Sequence, residues 1–116
     1  MLDLTLPMRV VSEANMREHW ARKAKRAKQQ RWVAKMAVNR KPLPSAPGYT
    51  STLTRLASRK LDSDNLAGAF KAVRDGIADA LGIDDGSERL EWLYQQEKAK
   101  RGSYAIRIEI SSNCLC

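Results

Sequence analysis

The stretch Leu61–Gly82 reads LDSDNLAGAFKAVRDGIADALG, and from Asn65 onward it is the clearest helix of the chain. Leu66, Ala69, Phe70, Val73, Ile77, Ala80 and Leu81 recur at intervals of three and four, which predicts a helix over Asn65–Leu81 with one apolar face. Asp62, Ser63 or Asp64 can supply the capping oxygen at its start, and Gly82 stands where a glycine commonly closes a helix.

The flanking segments read as strands. Before the helix, Tyr49, Ser51, Leu53, Arg55 and Ala57 alternate with Thr50, Thr52, Thr54 and Leu56, and the β-branched threonines favour extended backbone. After it, Asp84-Asp85-Gly86-Ser87 reads as a turn, and Leu90–Lys98 alternates with Leu90, Trp92, Tyr94, Gln96 and Lys98 on one face. Lys100-Arg101-Gly102-Ser103 reads as a hairpin loop leading to a last strand, in which Tyr104, Ile106, Ile108 and Ile110 share a face.

At the other end, Leu2-Asp3-Leu4-Thr5-Leu6 has the period of a half-buried strand. Pro7 suggests an edge position or an early break, after which Val10 and Val11 resume the strand. From about Met16 to Val38 the residues are helix formers without Gly or Pro, with a narrow stripe of Trp20, Ala24, Ala27 and Arg31 or Trp32. Pro42, Pro44, Pro47 and Gly48 then make a loop. The order β-α-β-α-β-β predicts one α+β domain over residues 1–116, a mainly antiparallel sheet packed against two helices, with 112–116 as a flexible tail.

The net charge of +8 points to a polyanionic partner, nucleic acid or a membrane surface, against the plainer reading of a merely soluble basic protein. The charge is segregated. Arg17–Lys41 holds ten Lys and Arg against one acid, Glu18, whereas the acids crowd between Asp62 and Glu97. A basic half beside an acidic half suits a protein that grips phosphates with one part and holds cations with the other. The two cysteines, Cys114 and Cys116, have no distant partner, so the chain is no disulfide scaffold and a reducing compartment fits. The start lacks the basic and apolar regions of a signal peptide, and no window reaches the length of a membrane span. A cytoplasmic location is therefore expected, with no membrane partner and no small-molecule cofactor.

Asp62 and Asp64, two residues apart at a strand end, project to one side, and Asp84 and Asp85 follow on a later loop. Such carboxylates are the hard oxygen ligands that magnesium takes, and a bound metal can polarise a phosphate or acidify a water. Lys71 lies seven residues after Asp64, two helical turns on, and can neutralise charge on a phosphate; Asp75 is placed to set its position. Helix capping by Asp62 and Asp64, and a plain turn at Asp84-Asp85-Gly86, account for the same residues without any metal. Spacing alone leaves both readings standing.

Asp62-Ser63-Asp64-Asn65, then Lys71, then Asp84-Asp85 resembles the pattern of the RusA family of Holliday-junction resolvases. Arg59-Lys60 before the motif, Ser12 and Asn15 near the start and the closing segment Gln95–Ile110 fit the family's layout. The family's lysine falls where this chain has Gly68, so Lys71 is displaced by almost one helical turn, about 4.5 Å along the axis. The resemblance implies a homodimer that cuts four-way DNA junctions with magnesium or manganese. It implies Asp62, Asp64 and Asp85 as ligands and catalytic groups, Asp84 as a further ligand and Lys71 as a catalytic residue.

DNA contacts are expected from Asn15, Arg17, His19, Arg22, Lys23, Lys25, Arg26, Lys28, Arg59 and Lys60. Phosphate contacts of this sort give salt-dependent affinity without reading sequence. A solvated helix face is the alternative for the basic helix. Trp20, Trp32 and Trp92 can stack on unpaired bases, although Trp92 sits on the apolar side of its strand and fits the core better. A non-catalytic basic nucleic-acid-binding protein is the alternative to the enzyme.

Overall fold

The computed structural model describes residues 2–11, 20–41, 43 and 45–113. Its elements follow in the order β1 (Leu2–Leu6), α1 (Trp20–Asn39), β2 (Gly48–Ala57), α2 (Ser63–Ala69), α3 (Lys71–Leu81), β3 (Leu90–Lys98) and β4 (Ala105–Asn113). The fold is α+β, as the order of elements predicts. The expected dispositions of Asn15, Arg17 and His19 fall outside the described residues.

The four strands form one sheet in the order β1-β4-β2-β3. β4 runs antiparallel to both β1 and β2, with Ile108 opposite Leu4 on one side and Leu53 on the other. β3 runs parallel to β2, Tyr94 standing beside Leu53. The sheet is therefore mixed, not mainly antiparallel. The reason lies in the helical connection: α2 and α3 return the chain to the start of β2, so the next strand repeats its direction.

The expected β3–β4 hairpin is also corrected, because β4 lies between β1 and β2 and does not neighbour β3. Burial explains the order. Ile106, Ile108 and Ile110 are wholly buried, and the alternate positions Arg107 and Glu109 are still half-covered, which suits a central strand. β3 shows Glu91, Leu93, Gln95 and Glu97 to solvent and takes the edge. β1 takes the other edge and stops at Leu6, before Pro7. Val10 and Val11 do not resume the strand, although Val10 is buried in the core. At the far end β4 continues through Ser112 and Asn113, paired with Tyr49 and Gly48, so these two residues are strand and not tail.

The core lies between one face of the sheet and the helices. Leu2, Leu4, Leu53, Ile106, Ile108 and Ile110 meet Phe70, Val73 and Ile77 from the crossover helices and Ala34 and Val38 from α1. The single helix expected over Asn65–Leu81 is broken at Phe70, whose φ of −92° and ψ of 3° leave the helical region. The Phe70 amide donates to Ala67 O, a tightened last turn, while its side chain is wholly buried and stacks on Tyr94 at 6.0 Å. Gly82, with φ of 68°, ends α3 in the left-handed conformation as the sequence predicts.

α1 does not pack through the stripe that its N-terminal half suggests. Its buried residues are Gln30, Ala34 and Val38, whereas Trp20 and Trp32 are 75% and 62% exposed. The crossing point with α3 selects this face. A Cβ at Gly76 would collide with the Arg31 carbonyl oxygen and lie 2.9 Å from Ala34 Cβ, so the helices touch backbone to backbone there. Toward its N-terminus α1 leaves α3, opening a cleft of about 700 Å³ floored by Ala24, Ala27, Gly68, Ala69 and Ala72. No helix among the described residues is long and apolar enough to cross a membrane.

Candidate functional site

The approach to α2 is fastened to the edge strand. Gln96 on β3 accepts from the Leu61 amide at 2.8 Å and donates to the Leu61 carbonyl at 2.7 Å, so one side-chain amide binds both backbone groups of that residue. Asp62 follows and caps α2, its Oδ1 accepting from the Asn65 amide at 3.1 Å. Asp62, Ser63 and Asp64 are exposed beside this anchored segment.

A second cluster forms around Lys71, at the first position of α3. Its Nζ donates to Asp75 Oδ1 at 2.8 Å and to Asp85 Oδ2 at 2.9 Å. Asp75 lies one turn along the same helix, and Asp85 lies on the loop after it. The hydrogen bonds that Lys71 donates to Asp75 and then to Asp85 raise its pKa and keep its ammonium charged. The bond from Lys71, aided by the nearby Arg74 guanidinium, holds the Asp85 carboxyl below the usual range.

Trp92 and Arg74 hold the Asp85 carbonyl, and Tyr94 in turn holds Arg74. Trp92 Nε1 donates to the Asp85 carbonyl at 3.0 Å, and Arg74 Nη1 donates to the Tyr94 hydroxyl at 3.0 Å. The Arg74 guanidinium also lies over the Trp92 ring, 5.0 Å from its centre. Asp84 serves the turn instead, accepting from the Gly86 amide at 3.0 Å. Trp92 is thus a core-side residue, and its indole holds the loop.

The structure therefore joins Lys71 to Asp85 and Asp75, and it gives Asp62 and Asp84 local capping roles. Among the described residues, no three His, Cys, Asp or Glu side chains gather as a group able to hold a metal ion. Arg74, Gln96 and Tyr94 are parts of the site that sequence spacing did not reveal. For Tyr94 and Gln96 the one signal is the run of amphipathic side chains on the inward face of β3; Arg74, on α3, carries none.

The expected DNA-contacting residues divide by place. Arg22, Lys25 and Lys28 are exposed on α1, and Lys23 and Arg26 are half-covered. Lys23 and Lys28 border the cleft that Lys71 borders from the other side. Arg59 and Lys60 are exposed at the end of β2, just before the Asp62 cap.

Over 116 aligned residues the chain is 34% identical to an uncharacterized protein of Xylella fastidiosa, a match spanning 93% of this chain and 76% of that protein. The chain belongs to the same family as that protein. The relationship extends over nearly the whole domain, so it includes both the Asp62 segment and the Lys71–Asp85 cluster within its span. No family model matches the sequence.

Proposed function

We propose that the chain is a metal-dependent, structure-selective endonuclease of the RusA kind, acting as a homodimer on four-way DNA junctions by paired phosphodiester hydrolysis. The observation that carries this reading is the 2.9 Å contact between Lys71 Nζ and Asp85 Oδ2. It unites the helix lysine and the following aspartate of the RusA-like pattern in one exposed cluster, despite the displacement of Lys71 along the sequence. The break at Phe70 supports the same reading, because it resets the helix between Asp64 and Lys71.

Asp62, Asp64, Asp84 and Asp85 offer only oxygen, the donor chemistry that suits Mg²⁺ or Mn²⁺, and such an ion would supply Lewis-acid activation of a phosphate. In this conformation the carboxylates do not make up one ion's coordination shell. The protein's own groups have clearer tasks. Lys71 is held charged by two carboxylates, and its third N–H would remain to donate to a phosphate oxygen. Arg22, Lys25 and Lys28 on α1, with Arg59 and Lys60, offer phosphate contacts along the duplex arms.

Purified protein should nick a synthetic four-way junction in pairs in Mg²⁺ and stop in EDTA. Asp64→Asn should abolish cutting while junction binding persists. Full cutting by Asp64→Asn, or an intact junction after long incubation of the wild type with Mg²⁺ and Mn²⁺, would sink the reading. A second reading, a non-catalytic nucleic-acid-binding protein, is favoured by the local work that three of the acids already do: Asp62 caps α2, Asp84 holds a turn and Asp85 pairs with Lys71. It predicts DNA binding indifferent to metal and to these acids.

A further inference from the structure

Arg55 is the least expected residue of the core. It sits on the helix-facing side of central strand β2, between Leu53 and Ala57, and is only 8% exposed. Its Nε donates to the Val10 carbonyl at 3.3 Å and its Nη1 to the Arg59 carbonyl at 2.5 Å. A guanidinium carries five N–H donors, so these two bonds leave most of its donor capacity unspent. Among the described residues no carboxylate pairs with it. Burial, and then the nearby positive charge of Arg9, lower its pKa and so disfavour its charged form. Arginine nevertheless stays protonated in proteins. Among the described residues, then, the Arg55 cation has no counter-charge, an arrangement that is costly unless an anion relieves it.

Arg55 borders a hollow of about 220 Å³ at the end of β2. The rim carries Arg59, Lys60 and Lys98, with Ser58 supplying a hydroxyl. Glu97 is the one acid there, and its two carboxylate oxygens are taken by Arg107 at 2.9 and 3.0 Å. The hollow is smaller than the roughly 300–1,000 Å³ of organic-ligand sites, and one tetrahedral oxyanion with a few waters suits it.

We propose that this hollow binds a single phosphate-class oxyanion through the buried Arg55 fork, and that the phosphodiester backbone of a nucleic acid presents it. The first half stands on the hollow itself; the second rests on the nucleic-acid reading above. The placement fits, since Lys60 on the rim is two residues from Asp62, and a backbone phosphate seated on Arg55 would run the strand past the Asp62–Asp64 segment. Arg55 would then be a register-setting residue, contributing orientation as well as charge.

The test follows the amides of Ser58, Arg59 and Lys60 and the Arg55 Nε–H by NMR on the full chain. Inorganic phosphate is added against sodium chloride of equal ionic strength, then a short DNA duplex. Saturable shifts with phosphate but not chloride are expected. Lys98→Ala should weaken the phosphate response about threefold and Arg55→Lys about tenfold. Lys98 is a surface side chain, so its variant decides the matter even if Arg55→Lys folds poorly. Equal shifts with chloride, or none with phosphate, would overturn the site. Duplex DNA should produce the same shifts and be displaced by phosphate. Phosphate binding that DNA neither mimics nor competes with would overturn the assignment to a backbone and leave a free-phosphate site. None of these readouts needs metal or cleavage, so failure here is distinct from failure of the nuclease reading.

Discussion

Gly76 and Gly68 lie on consecutive helices eight positions apart, and replacing each with alanine should move stability in opposite directions. Helix propensity alone favours alanine over glycine by about 1 kcal/mol at a helix interior such as Gly76 and by less in a last turn such as Gly68, so both variants would be stabilised if nothing else changed. At Gly68 nothing lies within 4 Å of the new Cβ, and that gain should be realised. At Gly76 the Cβ meets the Arg31 carbonyl oxygen, and Ala34 Cβ stands 2.9 Å away. The first obstacle is backbone inside a helix and cannot rotate aside, so α1 must move off α3. Overpacking of this kind costs about 1–3 kcal/mol, which exceeds the propensity gain over most of its range. The displacement also loosens Ala34 and Val38, both buried against the core. A net loss of up to about 2 kcal/mol follows for Gly76→Ala, against a gain of up to about 1 kcal/mol for Gly68→Ala. With urea m-values of about 1–3 kcal/mol/M, the two midpoints should separate by about 1 M. A Gly76→Ala protein as stable as Gly68→Ala would refute the backbone contact between α1 and α3.

Gln96→Ala removes both bonds to Leu61 and should cost about 1–2 kcal/mol, with the Leu61 amide losing its hydrogen-exchange protection ahead of the β2 amides. Asp85→Asn should change stability by no more than about 1 kcal/mol at neutral pH, because its partner Lys71 is largely exposed. Its effect should depend on pH. A carboxyl held below its usual value stabilises the fold above the unfolded value of about 3.9 and loses that contribution as pH falls through the folded one. Urea melts of wild type and Asp85→Asn should therefore converge in acid and differ at pH 6; a constant difference across that window would contradict the pairing.

The strands were legible because alternation is a local property: the extents expected for β1 and β3 coincide with those observed, and that of β2 differs by one residue. Their order was not, because it depends on which strand can bury both faces. The loop before β4 looks like a hairpin, yet the three fully buried isoleucines draw β4 into the centre. The packing face of α1 is not legible for a related reason. Tryptophan and alanine spacing suggested one face, and a glycine on another helix, Gly76, selected a different one. At the site, Asp62, Asp64, Lys71, Asp84 and Asp85 stood out by spacing. Arg74, Gln96 and Arg55 did not, because their roles exist only once β3 lies parallel to β2 and the loops close on its inward side chains.

The capping and metal-binding readings of the aspartates are not exclusive, since a carboxylate has two oxygens and the cap uses one. Asp62 offers Oδ1 to the Asn65 amide, and its other oxygen takes no part in that bond. Asparagine separates the two roles, because it is as good an N-cap as aspartate but carries no charge. Asp62→Asn should leave the unfolding midpoint almost unchanged, whereas Asp62→Ala should cost about 1 kcal/mol. If Asp62 also serves a cation, both variants should lose Mg²⁺-dependent heat in calorimetry and junction cutting alike, in spite of their different stabilities. If it only caps, cutting and metal response should survive in Asp62→Asn. Activity that follows stability would assign Asp62 to the fold; activity that follows charge would assign it to the chemistry.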